Sequence, residues 1–83
     1  MPYIAIKGYP RDDATKKKAI ELINKAMLEA WGCPQKAITI SLEEVAPEDW
    51  DKEVQKPLIE PNADKMMIRD GEYTPAFHAL KKD

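Results

Sequence analysis

The chain is short of almost everything that would mark a secreted, membrane-spanning or nucleic-acid-binding protein. It holds one cysteine, Cys33, in 83 residues, so no intramolecular disulfide can staple it and the usual prop of a small secreted domain is missing. Its longest apolar runs are a few residues, and the opening Met-Pro-Tyr-Ile has neither a basic stretch nor a 7-residue apolar core; that pattern predicts no membrane span, no leader and a cytoplasmic setting. Positive charge is not in excess, with 13 Lys+Arg against 15 Asp+Glu and a net charge of -2. A phosphate backbone therefore finds no basic field, and nucleic acid is excluded as an expected partner. The run Lys16-Lys17-Lys18 is expected to be answered by Asp12, Asp13 and Glu21. The three glycines form no phosphate-cradling loop. His78 is the sole histidine, which leaves no basis for a metal triad or a Ser-His pair. It reads as a solvated tail residue, and Cys33 as a small packing residue.

What remains is the composition of one small soluble domain, 43% apolar and 34% charged. Residues 2 to 7 alternate, Ile4 and Ile6 against Tyr3, Ala5 and Lys7, and Gly8-Tyr9-Pro10 closes the segment as a strand does. Asp12 and Asp13 suit the cap and first turn of a helix whose apolar positions Ala19, Ile20, Ile23, Ala26, Met27, Ala30 and Trp31 recur at three and four, with Gly32 and Pro34 to stop it. From Ala37 to Val45 the period returns to two, Ile38, Ile40 and Leu42 against Thr39, Ser41 and Glu43. The order β-α-β predicts parallel strands joined by a right-handed crossover, with the helix over the isoleucine face.

Beyond Val45, Pro47 suits the first turn of a short helix carrying Trp50, Val54 and Leu58, which Pro57 and Pro61 are expected to break. Lys65 to Arg69 reads as an edge strand, Asp70-Gly71 as a turn, and Thr74 to Asp83 as a loose or partner-bound tail. The whole is expected to be a single domain over 1–83, its core within 2–58 and its tail at 59–83. Two parallel strands are too narrow to cover such a helix and leave two open edges, so self-association is expected.

Pro2 is the first chemically suggestive residue. Methionine before a small residue is commonly trimmed, which would leave Pro2 as a secondary amine at the head of a strand. An amine works as a general base when its pKa lies near the working pH. Partial burial and a guanidinium about 5 Å away, worth about 3 kcal/mol of repulsion at an effective dielectric of about 20, lower an amine by about two pH units. Taken by itself, Pro2 also reads as a strand-edge proline with no donor to lose. Arg11 offers a bidentate fork to a carboxylate, or a partner for Asp12, Asp13 or the tail. Trp50 reads as a helix anchor beside Val54. Arg69 reads as a surface residue or as a second cation.

Met1-Pro2-Tyr3-Ile4-Ala5-Ile6-Lys7 followed by Tyr9-Pro10-Arg11, and Ile38 to Val45 followed by Pro47-Glu48-Asp49-Trp50, resemble the 4-oxalocrotonate tautomerase family over residues 2 to about 58. The stretch from Asp64 to Tyr73 is similar to the tail of the phenylpyruvate-type branch. The resemblance implies an α+β fold in which two β-α-β units join in an oligomer into a wider sheet with helices on one face. It implies an isomerase that moves a proton between the enol oxygen and a carbon of a 2-oxo acid with no cofactor and no metal. Pro2 would be the catalytic base and acid, with Arg11, Trp50 and Arg69 binding substrate. The expected partners are the small 2-oxo acid or enol and the chain itself, as a homodimer in preference to a hexamer. One departure bears on specificity: Thr39 stands where the dicarboxylate isomerases have a second arginine. The rival readings are a non-catalytic oligomeric module on the same fold, or a hydratase- or dehalogenase-like activity in which a carboxylate such as Glu43 activates water.

Overall fold

The computed structural model describes residues 1–81; Lys82 and Asp83, the end of the expected tail, lie outside the described residues. The chain forms two compact units, one from Met1 to Pro47 and one from Glu48 onward.

The first unit is the β-α-β arrangement that the change of period predicts. Strand β1 (Tyr3–Gly8) and strand β2 (Thr39–Glu44) pair in parallel, with Ile4 opposite Ile40 and Ile6 opposite Leu42. Helix α1 (Asp13–Trp31) connects them. Its start is fixed by Asp12, whose carboxylate accepts the Thr15 amide at 3.2 Å and the Thr15 hydroxyl at 2.6 Å. Its end is fixed by Gly32, which turns left-handed at φ 70. Ile4, Ile6, Ile40 and Leu42 are half-buried while Tyr3, Ala5 and Thr39 are exposed. Ile6 and Leu42 share a cavity with Ala19, so the helix covers the isoleucine face as expected. A reciprocal amide pair, Asn24 to Gln35 at 2.8 Å and Gln35 to Asn24 at 2.7 Å, fastens α1 to the 3-10 turn Gln35–Ala37 that leads into β2.

The apolar stripe of α1 is narrower than its sequence suggests. Ala19, Ile20, Ile23 and Met27 are half-buried together with Leu28 and Asn24, but Ala26, Ala30 and Trp31 are exposed, Trp31 at 66%. Two strands span only a thin strip of a 19-residue helix, so its flank stays open. The lysine run is also answered differently. Lys16 pairs with Asp13 at 3.2 Å and with Glu44 at 3.1 Å, while Lys17, Lys18 and Glu21 are exposed.

The second unit departs further from expectation. Pro57 does not end the helix begun near Pro47: a 3-10 turn at Pro47–Asp49 leads into a π-helical stretch at Asp51–Ile59, followed by 3-10 turns at Glu60–Lys65. In an α-helix the ring of Pro57 would strike the carbonyl of Glu53. The wider π register moves that carbonyl aside, and a proline that donates no hydrogen bond is accommodated. The buried Val54 is one turn from Trp50, at 5% exposure. The expected edge strand shrinks to β3 (Ile68–Arg69), paired antiparallel with β4 (Glu72–Tyr73). Asp70 and Gly71 both turn with positive φ, 52 and 83, as an Asp-Gly hairpin turn requires. Thr74 to Lys81 is not loose throughout: Thr74 caps the single-turn helix α2 (Pro75–His78) by accepting the Phe77 amide, and its hydroxyl donates to the Met66 carbonyl. Among the described residues no helix is long and apolar enough to cross a membrane.

Candidate active site

Pro2 precedes β1 and is half-buried. Its carbonyl accepts the Thr39 amide at 3.2 Å, so the parallel ladder begins at Pro2 itself and holds it beside the head of β2. A residue with no N–H is well suited there, since the position asks only for an acceptor. Met1, before Pro2, is 96% exposed. Thr39, exposed and in register with Tyr3, is the side chain of β2 next to Pro2 on the sheet face away from α1.

Arg11 lies at the other end of the same sheet. Six residues of β1 separate Pro2 from the loop that carries Arg11, a span of about 20 Å at roughly 3.3 Å per residue. The fold therefore does not bring Arg11 to the Pro2 of its own chain. Arg11 is exposed and makes no ion pair among the described residues, while its charge adds to the lowering of Asp12. Its backbone, in contrast, is fixed. The Arg11 amide donates to Glu44 Oε2 at 3.0 Å, and the Val45 amide donates to the Gly8 carbonyl at 2.9 Å just before the loop.

Charge at this corner is organised around Glu44. The amide of Arg11, and then the Lys16 ammonium, hold the Glu44 carboxyl below the usual carboxylate range. The hydroxyl of Thr15, and then its amide, do the same for Asp12. Lys16 is raised by its contacts with Glu44 and Asp13. A cavity of about 150 Å³ opens here, walled by Ile6, Ala19 and Leu42 and rimmed by Tyr9, Arg11 and Glu44. Glu43, weighed as an activator of water, is engaged with Lys7 at 3.1 Å near the carboxyl end of the sheet. It is thus at the end opposite Pro2.

In the second unit, Trp50 is half-buried at the head of the π-helical stretch. Arg69 is half-buried on β3 opposite Glu72, and its Nε is enclosed without a hydrogen-bond partner among the described residues. His78 is exposed and stands edge-on to Phe77, with ring centroids 5.6 Å apart, and Cys33 is half-buried. Among the described residues no three His, Cys, Asp or Glu side chains converge as metal ligands would. Glu44, whose contacts organise the Arg11 corner, was not singled out in the sequence. Its only sequence signal is an acidic residue at the end of a strand whose parallel partner leads into the Arg11 loop.

A parallel β-α-β unit with a proline at the head of its first strand and an arginine at the strand-helix junction is the α+β arrangement that the resemblance implies. The comparisons with known proteins agree: the family model described as "Tautomerase enzyme" matches residues 2–55, and the chain belongs to that family. It is similar to the tautomerase PptA of Pectobacterium atrosepticum, 29% identical over 73 residues that cover 86% of this chain and 96% of the relative. It is similar to the tautomerase PptA of Cronobacter sakazakii at the same identity and coverage. The tautomerase resemblance of the sequence is thereby upheld.

Proposed function

We propose that this chain is a keto-enol tautomerase of 2-oxo acids that uses Pro2, freed of Met1, as both base and acid. The observation that carries the proposal is the setting of Pro2: half-buried, tied by its carbonyl to Thr39, and the first residue of the family match. As an amide to Met1 the nitrogen has no basicity, because its lone pair is delocalised into the carbonyl. As a terminal secondary amine it takes the proton from the enol oxygen and delivers it to the α- or γ-carbon, and in the reverse direction takes it from the carbon and returns it to the enolate oxygen. Partial burial disfavours the ammonium form and lowers the pKa toward neutrality.

Arg11 is the carboxylate clamp in this reading. Because it lies a strand's length from its own Pro2, it serves the Pro2 of a neighbouring copy in a homodimer, or less favourably a hexamer, whose sheets meet end to end. By the resemblance, Trp50 is the apolar wall of such a site and Arg69 the candidate for a second cation. The proton transfer asks for no cofactor. The ion pair that engages Glu43 with Lys7 at 3.1 Å disfavours a water-adding activity based on that carboxylate.

The test is the decay of an enolised 2-oxo acid followed with protein whose amino terminus is shown by intact mass to be Pro2. Trimmed protein should be active, and both trimmed Pro2→Ala and protein that retains Met1 should lose nearly all of that activity. Decay no faster than the uncatalysed reaction in trimmed protein would leave the non-catalytic oligomeric module as the better reading, and equal rates above it in all three would take the base away from Pro2.

A further inference from the structure

The loop that carries Arg11 has a device of its own. Gly8 is held at one side by the Val45 amide and Asp12 at the other by the helix cap, so only Tyr9, Pro10 and Arg11 lie between two fixed points. Pro10 adds a fixed φ. Within that short bridge the Arg11 amide donates to Glu44 Oε2 at 3.0 Å, and the same oxygen receives the Lys16 ammonium at 3.1 Å. Lys16 in turn reaches Asp13 at 3.2 Å, and its own amide donates to the Asp12 carbonyl at 3.1 Å. Glu44 therefore joins three elements: the end of β2, the loop and the first turn of α1. The Arg11 guanidinium stays exposed while its main chain is pinned.

We infer that Glu44 is a positioning residue for the substrate carboxylate, fixing the backbone from which the Arg11 guanidinium extends so that the fork is presented in one place before substrate arrives. This rests on the reading of Arg11 as the clamp and adds to it the residue that makes the clamp preorganised. Glu44 touches no substrate. Its removal acts through Arg11, so it appears in binding and not in the proton transfer at Pro2. The Arg11 amide first, and then Lys16, hold the Glu44 carboxyl below the usual carboxylate range, the electrostatic mark of the same two contacts.

The experiment compares Arg11→Ala, Glu44→Ala and Glu44→Gln on Met1-trimmed protein, with thermal melts to certify folding. It measures KM and kcat for a monocarboxylic enol together with hydrogen exchange of the Arg11 amide. Glu44→Ala should raise KM roughly three- to tenfold, the range a single hydrogen bond contributes to an equilibrium, with kcat within about twofold and faster exchange at Arg11. Glu44→Gln keeps an oxygen within reach of the amide and should recover most of both losses. If Arg11→Ala raises KM but Glu44→Ala does not, or if Gln is no better than Ala, the positioning role is overturned and the clamp stands. An Arg11→Ala variant with unchanged KM overturns the clamp, and the positioning role with it.

Discussion

Thr39→Arg should shift substrate preference toward dicarboxylates, and the structure sets the size of the shift. Thr39 pairs with Tyr3, donates its amide to the Pro2 carbonyl at 3.2 Å and points into solvent on the face away from α1, so a longer side chain is accepted there without repacking. Threonine offers one uncharged donor. A guanidinium adds a unit charge, worth about 1 kcal/mol at about 4 Å where the dielectric is close to that of water. It also adds a second hydrogen bond worth about 1 kcal/mol. Ordering the arginine side chain returns about 1 kcal/mol of that gain. The net is about 1 kcal/mol, or roughly a fivefold rise in kcat/KM for a linear dicarboxylic dienol relative to an aryl enolpyruvate. The assay is the ratio of the two kcat/KM values on trimmed protein, wild type and Thr39→Arg side by side. The unaltered protein should favour the aryl enolpyruvate, since Trp50 suits an apolar group better than an anion. A wild type that prefers the dicarboxylate, or a ratio unmoved by Thr39→Arg, would refute the reasoning and direct attention to Arg69 or to a lysine of a neighbouring chain.

Three further expectations concern stability and assembly. Asp12 and Glu44 are both held below the ordinary carboxylate range, so the stability they contribute is complete above that range and is lost as pH falls through their lowered values. Melting temperature should decline from about pH 5 downward, and an Asp12→Asn, Glu44→Gln double variant should show a shallower decline than the wild type. Val45, at 6% exposure, is one of the few buried side chains, and Val45→Ala should cost about 2 kcal/mol in denaturant unfolding, from two lost methyl groups and the space they leave. Sedimentation at micromolar concentration should give a dimer; a monomer would contradict the supply of Arg11 by a second copy, and a hexamer would contradict only the dimer.

The β-α-β unit was legible because its signals are local. The change of period from two to about 3.6 and back marks β1, α1 and β2, and Asp12, Gly32 and Pro34 mark the helix ends. Asp70-Gly71 marks the hairpin turn in the same way. The reading weakened where a local rule met a local alternative: Pro57 forbids an α-helix but not a π register, and the second-unit helix ran on through it. It weakened again where the sheet proved too narrow to use the full stripe of α1, leaving Trp31 outside. For the site, Pro2 and Arg11 were legible as residue types in place, and parallel topology alone set them at opposite ends of the strand. Glu44 was not, since its contact with the Arg11 amide joins positions 33 residues apart and depends on where the end of β2 meets the loop.

The central claim is that the Pro2 nitrogen is the base, and the pH dependence of kcat/KM on protein proven by intact mass to begin at Pro2 tests it most directly. The rate should rise through one pKa well below that of a free secondary amine, and should disappear in Pro2→Ala and in protein that keeps Met1. A profile that persists unchanged in either of those two proteins would contradict it.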